Sequence, residues 1–366
     1  MTQSEISFKQ VNGFLFCGVL VCAVLYFAKA VLMPVTFAIF FAMLFTSLSN
    51  KMEKKGMPRI LSTLISILIL VTVISGIALL VFIQSKNIAK DFPQIEKKSE
   101  ELMTKAQDYI SQKLDISEAK QKEMIQKQIK SAGESFGKVL KSVVEGVFGL
   151  LMSSVLVLIF TFLFLYQREK YETFFVGLSK DKPPSETKKM LAEISKVSQN
   201  YLTGRALSII IFTILFTVGF LIVGLKNAFL LAFIAALLTI VPYIGSIVGG
   251  LFPFVVALVT EDSFDVAIGA LAVILIIQAI DNYFIEPYII GGEVNISGFF
   301  TILILLIGGL LWNVAGMILF LPMLGVTKIV FDHVPKLRIY GYLIGDQQQG
   351  NQSDRLFAKI KKLFKK

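Results

Sequence analysis

The residues most able to do chemistry form one short polar stretch inside a long apolar region. Gln278, Asp281 and Asn282 stand at positions i, i+3 and i+4, so a helix would place all three on one face. Glu286 follows, and Pro287 is predicted to end that helix, because the residue before a proline is disfavoured in the α region. Ionisable groups at membrane depth are costly and usually face a protein interior or a wet cavity. The stretch therefore predicts a site for a proton, a cation or a polar solute.

Asp281 is the main candidate in this site, and each candidate has a structural alternative. Burial disfavours the charged form of a carboxylate, which suits a proton carrier. Asp281 could instead pair with Arg205 or cap a helix end. Glu286 is a second acidic candidate, although a residue just before a proline could lie at the membrane interface. Asn313 could bind substrate or could satisfy backbone groups at a break in its helix.

The composition is typical of a helical membrane protein that crosses the bilayer several times. The chain has 366 residues, 55% of them hydrophobic, and a mean hydropathy of +0.73. Several apolar runs reach the length of about 18–20 residues that spans a bilayer. We therefore predict an all-α polytopic protein with about six to eight transmembrane segments, including two interrupted ones. The basic residues behind the net charge of +10 lie in loops and at the tail, which favours membrane topology over nucleic-acid binding.

The reactive residue types are too few to indicate a metal centre or an enzyme. Cys17 and Cys22 both lie in the first apolar run, and His333 is the only histidine. The sequence has no phosphate-binding glycine loop, dinucleotide fingerprint or nucleophile elbow. We expect no metal, no cofactor and no enzymatic activity.

Hydropathy and charge divide the chain into five segments. These are N-terminal transmembrane helices (1–83), an extracytoplasmic amphipathic helical hairpin (84–145), a return span with a cytoplasmic amphipathic helix (146–200), a transport core (201–335), and a basic cytoplasmic tail with an amphipathic anchor for anionic lipid (336–366). Pro34 is predicted to open the second span. Ser185 is predicted to cap a helix that continues through Tyr201 into the fifth span.

Basic loops set the predicted orientation. Lys51–Arg59 and Gln167–Asn200 are rich in lysine and arginine, as cytoplasmic loops usually are. The N-terminus and the basic tail are then both predicted to be cytoplasmic.

Two long apolar stretches, Phe229–Thr260 and Phe299–Val330, are interrupted by glycine and proline. Breaks such as Val241–Pro253 free backbone groups, which protein or water must satisfy. The predicted broken-helix and gating residues are Pro242, Tyr243, Gly245, Gly249, Pro287, Gly291, Gly308 and Gly309. The tail ends in the cytoplasm if both stretches cross fully or if both re-enter, but not if they differ. We favour two re-entrant hairpins, since paired broken segments usually mark a transporter's substrate site.

Four motifs follow one another in a specific order. They are Tyr201-Leu202-x-Gly204, VPYIG at 241–245, Gln278-x-x-Asp281-Asn282 with Pro287 and Gly291, and GGLLWNVAGMILFLP at 308–322. This ordered set resembles the autoinducer-2 exporter family, a large group of bacterial permeases, over nearly the whole chain. The resemblance implies a secondary transporter of the inner membrane that forms a homo-oligomer, with a pentamer as the implied state. Some relatives are thought to export autoinducer-2, and others are linked to exchange of sodium or lithium for protons.

The resemblance holds at six individual positions, and three other positions depart from the family's pattern. The positions that fit the family's pattern are Pro242, Tyr243, Gly245, Asp281, Pro287 and Gly291. Ser246 stands where many members have a second proline, and Tyr288 stands where a basic residue is common. Glu286 adds an acid where an apolar or amide residue is usual. These departures leave the substrate open.

The resulting prediction is a secondary transporter that exports a small polar molecule by alternating access, with autoinducer-2 as the implied solute and H⁺ or Na⁺ as the coupling ion. The two interrupted stretches would form its site, and Asp281 would bind the ion or the solute beside Gln278 and Asn282. One alternative is a sodium or lithium/proton antiporter that uses Asp281 and Glu286. The other is a non-transporting scaffold that binds partners through the 84–145 hairpin.

Overall fold

The computed structural model is built of helices joined by short turns in the residues that it describes. These are residues 8–80, 83, 154–179, 183–241, 244–261, 263–290 and 295–346. The helices are α1 (Phe8–Phe27), α2 (Lys29–Glu53), α3 (Arg59–Leu80), α4 (Ser154–Tyr166), α5 (Arg168–Leu178), α6 (Pro184–Val223), α7 (Ala228–Leu238), α8 (Ile244–Thr260), α9 (Phe264–Ile280), α10 (Gly298–His333) and α11 (Arg338–Ile344). A wider π-helix, Asp281–Ile290, continues α9, and no strand occurs in the described ranges.

Several helices have the length and composition of membrane spans. By length and composition alone, with each counted as one continuous run, five could cross a bilayer, namely Lys29–Glu53, Arg59–Leu80, Pro184–Val223, Phe264–Ile285 and Gly298–His333. Shorter apolar helices are Phe16–Phe27, Ser154–Tyr166, Ala228–Leu238 and Gly249–Leu258. The predicted class, an all-α polytopic membrane protein, is confirmed.

The chain divides into two compact units. The first unit draws its described residues from Met1–Ser66, Leu156–Arg205 and Pro287–Lys366. The second unit draws them from Ile67–Val155 and Ala206–Glu286. The unit boundaries fall within α3, α4, α6 and the π-helix, which therefore contribute residues to both units.

In the first unit, α1, α2 and α10 surround a small aromatic core. Its buried members are Phe40, Trp312, Leu319 and Phe320. The short helix α11 packs on α10. The Ser297 N–H donates to the Ile344 carbonyl at 2.9 Å, which joins the start of α10 to the end of α11. Through these contacts α11 packs against α10 and is hydrogen-bonded to the start of that helix.

In the second unit, α6, α7, α8 and α9 pack closely. The seam between α7 and α8 contains Leu230, Ile234, Leu238 and Phe252. Helices α6 and α9 meet at two reciprocal contacts, where Gly219 receives the Val273 side chain and Gly269 receives the Val223 side chain. At both points a Cβ added to the glycine would meet a valine methyl group, so the glycines permit the close approach.

Helix α6 confirms one prediction and corrects another. It runs without a break for 40 residues, so the amphipathic helix does continue through Tyr201 into an apolar span. Ser185 does not cap it, because the helix already begins at Pro184 and the Pro183 carbonyl accepts the Glu186 N–H at 3.0 Å. Proline is well suited to the first helical position, where its missing N–H has no helical partner to lose.

Two prolines lie inside helices that they were predicted to open or break. Helix α2 begins at Lys29, so Pro34 does not open the second span. Pro253 lies within α8, so the break is shorter than the predicted Val241–Pro253. In an apolar surrounding, leaving the helix would expose several backbone polar groups, whereas a proline removes one donor. Continuing the helix is therefore the less costly choice.

Two predicted features lie outside the described residues. These are the amphipathic hairpin at 84–145 and the amphipathic anchor at the end of the 336–366 tail.

Candidate functional site

The first interrupted stretch forms an antiparallel hairpin from α7 and α8. A Cβ added to Gly245 would meet the Leu238 carbonyl oxygen, and one added to Gly249 would lie 2.7 Å from the Ala235 carbonyl oxygen. These contacts pair later residues of α8 with earlier residues of α7, as only a reversed chain can do. Gly245 and Gly249, two of the predicted broken-helix residues, lie at that contact. Pro242 and Tyr243 lie outside the described residues.

The second interrupted stretch reverses inside α10. Trp312 (φ −126°, ψ 19°) and Asn313 (φ 53°, ψ −140°) leave the helical conformation. A Cβ added to Gly308 would lie 2.6 Å from the Gly316 carbonyl oxygen. In a straight α-helix residues eight apart are separated by about 12 Å along the axis. The chain therefore folds back on itself, with Gly308 and Gly316 in backbone contact and Gly309 against the Met317 side chain.

The tip of this second hairpin combines a buried ring with an exposed amide. Trp312 is 1% exposed and packs edge-on against Phe320, with ring centroids 5.1 Å apart. Its indole N–H donates to the Leu25 carbonyl at 2.8 Å. Asn313, the next residue, is exposed. A non-glycine residue at this φ and ψ is uncommon and costs of order 1–3 kcal/mol.

Asp281 lies in line with the packed face of α9. The buried residues of that face are Ala267, Ala270, Ile274, Ile277 and, further on, Ile285. Asp281 falls four residues after Ile277 and is half-buried, as is Gln278. Asn282 is exposed. Gln278 and Asp281 thus share partial burial on one part of the helix, and Asn282 lies outside it.

Asp281 also marks the point where the helix changes type. Its N–H bonds to the carbonyls of Ile277 and Gln278, and the wider π-helix runs from Asp281 to Ile290. The prediction that Pro287 ends the helix is therefore wrong. In an α-helix a proline ring presses on the carbonyl four residues back, and a wider turn relieves this contact. The Glu286 side chain and Gly291 lie outside the described part of the chain.

An ionic cluster that the sequence analysis did not predict joins three helices of the first unit, α2, α3 and α5. Arg168 donates to Glu53, which also accepts from the Ser62 hydroxyl at 2.8 Å. Arg59 pairs with Glu169 at 3.1 Å. Opposite charges at the ends of successive apolar runs were the available signal. The cluster fixes the α2–α3 turn against the α4–α5 boundary.

A family model described as AI-2E family transporter matches residues 15–336. The chain belongs to the AI-2E transporter family. The matched region includes Asp281 and both hairpins.

Several curated proteins resemble parts of this AI-2E family member. "Putative transport protein YueF" of Bacillus subtilis strain 168 is 26% identical over 217 residues, 58% of each chain. YhhT of Escherichia coli K12, named in the same way, is 26% identical over 179 residues, 49% of this chain and 50% of YhhT. A Haemophilus influenzae protein, also named as a transport protein of this kind, is 30% identical over 121 residues, 33% of this chain and 34% of the relative. The matches span less than two thirds of the length of these relatives.

Proposed function

We propose that this AI-2E family member is an ion-coupled secondary transporter that exports a small polar solute from bacterial cells by alternating access. Family membership supports a role in membrane transport. The observation that carries the finer proposal is the half-buried carboxylate of Asp281, on the packed face of an apolar helix where the helix widens. Autoinducer-2 is the first solute to test, because the motif resemblance implies it.

Asp281 is the proposed binding group for the coupling ion or the solute. A carboxylate in an apolar helix is costly, and such groups usually act in transport or proton transfer. Local π-helical geometry is also frequent at functional sites. Gln278 shares the partial burial of Asp281 and is proposed to contribute its amide to the same group. The exposed Asn282 and the acidic Glu286 are secondary candidates.

We propose that both hairpins are re-entrant, and that Asn313 at the tip of the second one contacts the solute. The eleven residues of α7 extend about 16 Å. The first arm of α10, residues 298–311, extends about 21 Å. Both fall short of the roughly 30 Å hydrocarbon core, so neither arm is long enough for a full crossing. A polar residue at a hairpin tip is a suitable ligand for a solute inside the membrane.

The proposed orientation places both termini in the cytoplasm of the inner membrane. Two basic segments predicted to be cytoplasmic are joined in the first unit by the Arg59–Glu169 ion pair at 3.1 Å. His333, at the end of α10, lies 3.4 Å from Glu193 in the N-terminal half of α6. These contacts support a common side for the two basic loops and the tail. A homo-oligomer, pentameric by resemblance, and binding of the tail to anionic lipid remain part of the proposal.

The test is transport by purified protein in proteoliposomes, comparing wild type with Asp281→Asn. Labelled autoinducer-2 is followed with and without an imposed pH gradient, while a pH-sensitive dye reports proton flux driven by sodium or lithium. Asp265→Asn is the matched control, because it makes the same change at an exposed position in the first turn of α9. We expect gradient-dependent flux in the wild type and the control, and at least about a tenfold loss in Asp281→Asn.

The other outcomes have distinct meanings. Cation-driven proton flux without movement of autoinducer-2 would show that the protein is an antiporter and not an exporter of this solute. Equal flux in wild type and Asp281→Asn would remove Asp281 from the mechanism. Absence of both fluxes from folded protein would reject both solutes and favour a scaffold.

A further inference from the structure

The tip of the α10 hairpin is tied to the junction between α1 and α2. Leu25 is among the last four residues of α1, whose carbonyls have no donor within their own helix. The break at Ala28 (φ −89°, ψ 11°) ends that helix before α2 begins. The Leu25 carbonyl accepts the Trp312 indole N–H at 2.8 Å. A short interruption between two apolar helices thus supplies the acceptor for the hairpin tip.

Packing alone would not fix the orientation of the Trp312 ring. The ring is buried against Phe40, Leu319 and Phe320, which are apolar and offer no acceptor. A buried indole N–H needs a hydrogen-bond partner, since an unpaired one is costly in an apolar surrounding. The bond to Leu25 therefore selects one orientation of the ring among those that the cluster could accommodate.

The orientation of Trp312 determines where Asn313 lies. The two residues are consecutive and both leave the helical conformation, so the peptide between them forms the turn itself. Trp312 is buried and Asn313 is exposed. The backbone contact between Gly308 and Gly316 holds the two arms together just below this turn. With the arms closed and the ring fixed, the backbone of Asn313 has little freedom to shift, and this sets the point from which its amide projects.

We propose that Trp312 is a positioning residue for transport, which holds the Asn313 amide in place through the Leu25 carbonyl. The inference rests on the proposed function, because it takes Asn313 as a contact of the transported solute. The interruption at Ala28 then has a specific role, which is to leave the Leu25 carbonyl available to the hairpin tip.

The first measurement is the concentration dependence of labelled autoinducer-2 flux in proteoliposomes. Trp312→Phe keeps an aromatic ring in the cluster and removes the N–H. We expect the half-saturating concentration to rise about fivefold, with maximal flux within about twofold of wild type, because one hydrogen bond is lost and the fold is kept. Phe320→Leu is the control, since it disturbs the same cluster and leaves the indole bond intact. Its half-saturating concentration should stay within about twofold of wild type.

The second measurement locates the tip without any transported solute. Asn313→Cys is made in a Cys17→Ser, Cys22→Ser background, and its rate of modification by a maleimide is recorded. Adding Trp312→Phe should change this rate at least about threefold, whereas adding Phe320→Leu should not. A changed rate supports the tie even if the wild type carries no autoinducer-2, so failure of the proposed solute and failure of the tie can be told apart. If Trp312→Phe leaves the modification rate within twofold of its parent, or if Phe320→Leu changes it equally, the positioning role is overturned.

Discussion

The two hairpins reverse the chain inside apolar sequence by different means. The α7–α8 turn is longer and is closed by its own backbone. The Ile240 N–H donates to the Leu237 carbonyl at 3.2 Å, and the Gly245 N–H donates to the Val241 carbonyl at 2.8 Å. The α10 turn consists of Trp312 and Asn313 and depends on a bond to Leu25, 287 residues away in sequence. A tight turn leaves fewer local donors and acceptors, so its stability depends on distant partners.

The open ends of the two hairpins, opposite their turns, also differ in whether their partners are local or distant in sequence. Glu261, just after α8, is buried and accepts the Lys226 N–H at 2.7 Å, which ties the hairpin to the turn before α7. The open end of the α10 hairpin is instead held by α11, through the Ser297–Ile344 and Asn295–Asp346 bonds. The comparison indicates that the first hairpin is a locally closed element, whereas the second depends on the rest of its unit.

The largest predicted effect comes from breaking the backbone contact inside α10. Gly316→Ala would place a Cβ against the Gly308 carbonyl, which cannot move without separating the arms. We expect a loss of about 3 kcal/mol or more in folding stability, seen as a lower thermal midpoint and less monodisperse protein in detergent. Gly309→Ala is the control, because its Cβ would meet the flexible Met317 side chain, chiefly its terminal methyl, and no backbone atom among its three nearest neighbours. Equal stability of the two variants would show that the arms are not in backbone contact.

An intermediate effect is predicted at the open end of the first hairpin. Glu261→Ala removes the acceptor of the Lys226 N–H and should cost about 1–3 kcal/mol in thermal stability. Glu261→Gln keeps a carbonyl oxygen for this N–H and loses only a 3.9 Å ion pair with a mostly exposed lysine. We therefore expect it to cost less than about 1 kcal/mol. If Glu261→Gln is as destabilising as Glu261→Ala, the negative charge of Glu261, and not its role as a hydrogen-bond acceptor, holds the open end of the first hairpin.

The smallest predicted effect on stability concerns two asparagines with positive φ, one at each hairpin. Asn313 (φ 53°, ψ −140°) lies outside the left-handed helical region, whereas Asn227 (φ 56°, ψ 30°), before α7, lies within it. Asparagine tolerates the left-handed region but not the Asn313 conformation, which glycine adopts freely. Asn313→Gly should therefore stabilise the protein by about 1 kcal/mol, and Asn227→Gly by less. A thermal midpoint that falls in Asn313→Gly would contradict a strained turn at the second hairpin.

The sequence predicted the helical class, the two interrupted stretches and the continuation of α6 through Tyr201, because these follow from local periodicity and hydropathy. It failed at Pro34, Pro253 and Pro287, where the rules for helix ends assume that water can satisfy a freed backbone. In an apolar surrounding the helix continues instead, at Pro287 with a wider turn. The bond from Trp312 to Leu25 could not be predicted, since no local pattern pairs residues so far apart. The role of Asp281 remains a prediction.

The burial of Trp312 has a spectroscopic consequence, since it is the only tryptophan in the chain. Indole emission, excited at a wavelength that the tyrosines do not absorb, therefore comes from a single residue at the turn of the α10 hairpin. Its burial away from water should give emission at shorter wavelength than that of an indole in water, because apolar surroundings stabilise the polar excited state less. The protein thus carries a native fluorophore at this turn, and a change there can be followed in the full chain without attaching a dye.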